Sequence, residues 1–286
     1  MTLPNVPSLS TNAAAVDSGP SFLEAIGAPN SALSRQHVQL LIEAAIACDR
    51  GLTSTGLSMS VFEDMNAFVR IVEAAGKFVP TVFDRKIKPT RRRGEIIGLV
   101  VHDQQGEPIA TLAVRLFQLQ RTLADHLSTL SLFYANPLEQ MESGEYLVLR
   151  DAARRYASGI EDRVVWIGCF WVSPSCRGEM SNLSGFLPLA ARILGMVRWG
   201  YNTFFSLTES WLRKPHARLR VGSPDVYETV EWYRPQLPEA DRLRRSEILL
   251  MAYESEATMR QAAEFVAGRD LLRIRSEPSD VRTATG

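Results

Sequence analysis

The scarcities of this 286-residue chain are its first source of information. It has three cysteines, Cys48, Cys169 and Cys176, so no disulfide framework can use them all. Its four histidines, His37, His102, His126 and His216, are scattered, and none forms an HxxxH or HExxH pair. A structural or catalytic metal is therefore not expected. Neither sign of charge is in surplus, with 32 basic side chains against 32 acidic ones. A protein whose main work is gripping a nucleic-acid backbone needs extra Lys and Arg, so nucleic acid is not an expected partner. No apolar run approaches the roughly 18 residues of a membrane span, and residues 1–21 lack the basic and long apolar regions of a secretory signal. No membrane partner is expected, and a reducing cytoplasm is the expected location.

What is present points to a folded body. Apolar residues make up 45% of the chain, enough at this length to bury a large core. Residues 1–31 are rich in Ser, Ala, Pro, Asn and Gly and read as a flexible leader, and 276–286 read as a loose tail. Residues 32–275 form the expected single domain.

The body opens with a helical pattern from Ser34, its apolar residues at 38, 41, 42, 45 and 46. A second amphipathic helix is expected from Ser60, as its cap, through Phe62, Met65, Phe68 and Val72 to Gly76. The period then changes to two. Glu95–His102 and Pro108–Phe117 form a hairpin across Asp103-Gln-Gln-Gly106-Glu. Residues 120–157 look helical and mixed, with a break at Asn136-Pro137. Arg163–Val172 is a continuous apolar run that fits a strand covered on both faces. It ends at Ser173-Pro174-Ser-Cys-Arg177-Gly178, a turn that Pro and Gly force. An apolar helix through Phe186 and Val197 follows, stopping near 195–200, with Pro188 taken to delay its start; then comes a strand at Thr203–Leu207. Strand, loop, helix and strand within about 45 residues indicate a parallel βαβ crossover. A basic stretch at 210–220, strands at 226–233 and 247–254, and a helix at 256–266 complete the body.

Taken in order, the hairpin at 98–117 and the run Trp166-Ile-Gly-Cys-Phe-Trp-Val172-Ser-Pro174-Ser-Cys-Arg177-Gly178 resemble the GNAT superfamily of N-acyltransferases. The resemblance implies an α/β fold with a mixed, mainly antiparallel sheet, a splayed parallel pair and flanking helices, here preceded by N-terminal helices. It also implies acyl transfer from a thioester donor, acyl-CoA or the phosphopantetheine of an acyl carrier protein, to a small amine. Val172 to Asn182 would hold the donor: Phe170 and Val172 beside the acyl group, and Arg177, Gly178, Glu179, Met180, Ser181 and Asn182 around the phosphates at a helix mouth. The chain departs from the family's Arg-x-x-Gly-x-Gly pattern, reading Arg177-Gly-Glu-Met-Ser-Asn182. That looser turn, with the strand Ala110–Leu116 that contains Arg115, is similar to the autoinducer-synthase and N-acyl amino acid synthase branch.

Acyl transfer needs a base for the amine proton, an acid for the leaving thiolate, and a donor to polarise the thioester carbonyl. The resemblance places that donor, a backbone amide beside a bulge, near residues 170–172, with Gly168 aiding the kink. Residues 164–172 contain no carboxylate, so the base falls to Glu209 beyond the second parallel strand; the acid, commonly a Tyr in the resembling family, falls to His216, with Tyr201 and Tyr233 as alternatives. Two basic runs, 85–93 and 213–220, either meet an anionic carrier or acidic substrate or are solvated surface. The tryptophans read as core and groove packing, with Phe170 and Trp171 able to line an acyl tunnel. A different class of reading keeps the fold without the chemistry, as a binding or regulatory module.

Overall fold

A computed structural model describes residues 19–77, 79–90, 92, 94–176, 182–209, 225–235 and 245–268. Its centre is an eight-stranded sheet: β1 (Ser58–Phe62), β2 (Ile96–His102), β3 (Pro108–Gln118), β4 (Tyr146–Leu149), β5 (Arg163–Val172), β6 (Thr203–Glu209), β7 (Asp225–Tyr233) and β8 (Arg245–Tyr253). The spatial order is β1-β2-β3-β5-β6-β8-β7-β4. Every pairing is antiparallel except β5 with β6. The helices are α1 (Phe22–Ile26), α2 (Arg35–Thr53), α3 (Met65–Ala74), α4 (Leu123–Ser128), α5 (Pro137–Gln140), α6 (Asp151–Ser158), α7 (Leu183–Trp199) and α8 (Ser255–Val266). This is an α/β fold with a mixed, mainly antiparallel sheet and one splayed parallel pair.

Period-two alternation sends successive side chains to opposite faces and builds two cores. Ile97, Leu99, Leu112 and Val114 pack against α1, α2, α7 and α8. Ile96, Val100, Ala113 and Phe117 pack against α3, α4 and α6 on the other face. The crossover helix α7 is mainly apolar, and every residue but Ser184 and Arg198 is buried, as expected of a helix between a sheet and further helices; its one buried charge, Arg192, donates to Pro188 O, Thr258 and Gln261.

Several expectations need correction. The stretch expected to be loose up to residue 31 is ordered in its described part. Ser21 caps α1 in a reciprocal capping box with Glu24, bridges to Ser60, and leads into Phe22, which is fully buried. Ser60 caps no helix: it lies in β1, opposite Val100, and the cap of α3 is Asp64, whose carboxylate accepts the Asn66 N–H at 3.0 Å. Pro137 starts α5 instead of breaking a helix, and β4, a short strand absent from the sequence reading, lengthens the sheet beyond β7. Pro188 does not delay α7, which begins at Leu183 and continues past Gly195 to Gly200, where φ of +78° lets the chain turn away. Gly195 instead serves packing, since a Cβ there would lie 2.8 Å from the Phe204 ring on β6.

Candidate active site at the opening of the parallel pair

The parallel pair holds for only three positions, Val164 with Thr203, Val165 with Phe204 and Trp166 with Phe205. Beyond them β5 runs on to Val172 paired with β3 alone, and β6 runs on to Glu209 paired with β8 alone. The sheet therefore opens between the carboxyl ends of two parallel strands, where ligands gather in open α/β sheets.

A bulge in β5 faces this opening. Thr111 of β3 pairs with Trp171, and Ala113 pairs with Gly168, so Cys169 and Phe170 together oppose Leu112. The extra residue is accommodated by Cys169, whose φ is +51°. Thr111 Oγ1 donates to the Cys169 carbonyl at 2.9 Å, replacing the ladder bond that the bulge removes. The expected bulge is thus present, but Gly168 is not its hinge. A Cβ at 168 would lie 2.5 Å from Trp166 Nε1 and 2.9 Å from Phe83 Cε2, so the glycine is needed for side-chain space.

The bulge changes what the end of β5 presents. The strand is buried from Val164 to Ile167 and again at Cys169, whereas Phe170 is 44% exposed, so both-sided cover fails where the strands part. Val172 turns into the core formed with α2 and α7. Burial pushes the Cys169 thiol far up, so it is neither nucleophile nor base near neutral pH. After β5, the Ser173 N–H bonds to Ile109 at 2.7 Å and Pro174–Cys176 form a single 3₁₀ turn, which tucks Cys176 into the core. Asn182 then stands at the entrance of α7, its carbonyl accepting the Gly185 and Phe186 N–H groups at 3.1 and 2.9 Å. Arg177, Gly178, Glu179, Met180 and Ser181 lie outside the described residues, as do His216 and the basic run 213–220. Glu209 ends β6, its backbone opposite Ile248.

Two tryptophans of β5 carry more than packing. Trp166 is buried, edge-on to Phe133 and Phe205 with centroids 5.3 and 5.1 Å away. Its Nε1 and that of Trp171 are buried donors without an acceptor among the described residues. Lys77 Nζ stands 5.3 Å from the centre of the Trp171 ring. The sequence signal for this pair was only two tryptophans on one apolar strand.

The first basic run does structural work where it is described. Lys88 Nζ donates to the Ser131 and Tyr134 carbonyls. Arg115, which is buried, donates to the Val82 carbonyl, to Lys88 O at 2.8 Å and to Pro89 O at 2.7 Å. A cavity of about 340 Å³ borders Lys88, Pro89, Arg115 and Ser131 together with Glu95, Asp125 and His126. It lies at the other end of the sheet, because β3 lines it with residues 115–118, a stretch paired with the start of β5. His126 Nδ1 is 2.8 Å from Ser131 Oγ, but its Nε2 accepts the Gln120 N–H. That acceptor role puts the proton on Nδ1, so the imidazole donates to Ser131 and cannot activate it. Among the described residues, no group of three or more metal-ligating side chains converges, and no helix is long and apolar enough to cross a membrane.

No protein-family model matches the chain, and no curated protein matches it by sequence. Solved structures do resemble it. A chimera of the spermidine N-acetyltransferase SpeG from Vibrio cholerae with hSSAT aligns at 10% identity over 71% of this chain and 98% of its own, with a TM-score of 0.37. FeeM, an N-acyl amino acid synthase from uncultured soil microbes, aligns at 11% identity over 76% of this chain and 96% of its own, with a TM-score of 0.36. Arabidopsis thaliana NAA60, solved in complex with acetyl-CoA, aligns at 11% identity over 70% of this chain and 99% of its own, with a TM-score of 0.34.

Proposed function

We propose that this protein is an N-acyltransferase moving an acyl group from a thioester donor, acyl-CoA or an acylated carrier protein, to a small amine. The observation that carries the reading is a bulge at Cys169–Phe170 standing in the opening where β5 and β6 part. A backbone amide released from the ladder at that bulge is suited to polarise a thioester carbonyl, an oxyanion-type role. The donor's phosphates would bind at the mouth of α7, on the segment Arg177–Asn182, where helix N–H groups and Arg177 supply positive charge. The amine nitrogen attacks the thioester carbon, the C–S bond breaks, the amine proton passes to Glu209, and His216 protonates the departing thiolate.

The test is thermal stability with coenzyme A, a panel of acyl-CoAs and an acylated carrier protein, followed by thiol release with added amines. At least one donor should raise the melting temperature, and Arg177→Ala should remove most of that rise. Absence of a shift with every donor would overturn the reading. A second reading, a binding module without turnover, is favoured by the chemistry of β5 beyond the pairing. Residues 167–172 contain no acid and no imidazole, and their thiol is held protonated. A stable donor complex that releases no thiol with any amine would establish it.

A further inference from the structure

Arg115 and Lys88 lie toward the far end of the sheet from the proposed reaction centre, yet what they hold leads back to it. The carbonyls they bond belong to two segments with little regular structure, 79–90 and 130–136, whose buried backbone acceptors must find donors elsewhere. Arg115 donates to Val82 O, Lys88 O and Pro89 O, and Lys88 donates to Ser131 O and Tyr134 O. The Ala135 N–H, bonded to Ile87 O at 3.2 Å, ties the two segments to each other. Charged donors make the stronger bonds of this kind, and the rigid fork of a guanidinium meets several carbonyls at once.

Each cation grips backbone beside an aromatic ring. Val82 precedes Phe83, which is fully buried and whose Cε2 would lie 2.9 Å from a Cβ at position 168. Ser131 and Tyr134 bracket Phe133, whose ring is edge-on to Trp166 with centroids 5.3 Å apart. Trp166 pairs with Arg115 across the β3–β5 ladder, so the two side chains rise together on the face packed by α3. Phe83 and Trp166 both crowd Gly168, the residue before the bulge at Cys169–Phe170. A continuous set of packed groups therefore runs from the two cations to the backbone that carries the Phe170 amide. Close-packed interiors transmit a displacement of this kind and do not absorb it.

We infer that Arg115 and Lys88 are positioning residues: acting through Phe83 and Phe133, they fix Trp166 and Gly168, and with them the angle of the Phe170 amide. The catalytic meaning of that angle rests on the acyl-transfer reading, which gives this amide the thioester carbonyl. The network itself can be tested without turnover. The full chain is used, with Lys88→Met as the main variant because Lys88 is only partly buried. Backbone and indole ¹H–¹⁵N signals are the first readout, and the amides of α2 and α8, which pack in the opposite core, are the internal reference.

Lys88→Met should shift the Trp166 indole and the Phe170 amide and leave the reference amides in place. Phe133→Leu keeps an apolar side chain and both carbonyl bonds; it should move the same two signals, and the double variant should add little. Lys88→Arg, which retains a charged donor, should stay near the parent positions, whereas Arg115→Lys, which loses the fork, should depart from them. With a donor and amine that turn over, Lys88→Met should lower kcat about tenfold or more while the donor's Kd stays within about twofold.

Unmoved Trp166 and Phe170 signals in Lys88→Met, shifts of equal size in the reference amides, or simple addition of the Lys88 and Phe133 effects would overturn the proposal. If Lys88→Met does not fold, Phe133→Leu and Phe83→Leu take its place, and silence at Phe170 in both overturns it equally. A fall in donor affinity with kcat unchanged would overturn the role given to the amide. Movement of both signals in a protein that releases no thiol with any donor and amine would instead overturn acyl transfer and leave the positioning network standing.

Discussion

From Val164 to Trp166, β5 has a hydrogen-bonded strand on each side; from Ile167 to Val172 it has β3 alone. The residues are of one kind throughout, apolar and aromatic, yet the two halves end in opposite conditions. The closed half is buried, regular and filled by Phe205, Phe133 and the Trp166 ring. The open half holds a non-glycine residue at positive φ, an exposed phenylalanine and a buried indole N–H without an acceptor. Cover is fullest where the ladder is complete, and exceptions to local rules gather where it stops, as is common at functional sites.

The contrast can be broken by substitution. The largest effect is expected in the closed half, where Phe205→Ala should cost about 3–5 kcal/mol in denaturant unfolding. A cost below about 1 kcal/mol would show that the pairing does not anchor the sheet. The closed end should also respond to alkali. Burial pushes the Tyr253 phenol, on the strand beside β6, from 10.0 up to about 12. The folded state holds that proton more tightly, so its contribution is complete below about pH 10 and is lost as pH rises toward 12. A loss on the order of 2 kcal/mol across that window, smaller in Tyr253→Phe, is the expected outcome.

At the junction of the halves, Gly168→Ala should cost about 1–3 kcal/mol, because the new Cβ must displace Trp166 or Phe83. The accompanying change should be visible in tryptophan emission. Thr111→Val, which leaves the Cys169 carbonyl without its donor, should cost about 1–2 kcal/mol. In the open half, Phe170→Ala should stay within about 0.5 kcal/mol of the parent by the same measurement, while altering donor binding. A large loss of stability there would mean that the exposed ring is structural.

The sequence made the architecture legible where period and length agree. The hairpin of β2 and β3, the buried β5, the α7 crossover and the closing strands all follow from apolar spacing. It failed where two patterns overlap. Phe62, Met65, Phe68 and Val72 fit one helical stripe, and nothing in their spacing shows that Phe62 ends a strand while Asp64 begins the helix. The strand β4 has four residues, too few for alternation to register, and its place at the sheet's edge depends on β7, which arrives some eighty residues later. Phe22 opens a short apolar segment within a stretch rich in small and turn-forming residues, and its burial depends on partners remote in sequence. At the site, the bulge was expected near residues 170–172 through the resemblance alone and stands at Cys169–Phe170, and glycine drew the assignment of its hinge. The shape of the Trp166 indole, which claims the space at 168, lies beyond what spacing encodes.

Thr111 leaves a final consequence. Its hydroxyl reaches across from β3 to the Cys169 carbonyl, 58 positions away in sequence, and so helps to fix the peptide plane linking Cys169 to Phe170. The angle of the Phe170 amide is therefore governed in part from a neighbouring strand. Residue 111 offers a way to retune that amide, the group to which the proposed function assigns the thioester carbonyl, without substituting any residue of β5 or β6.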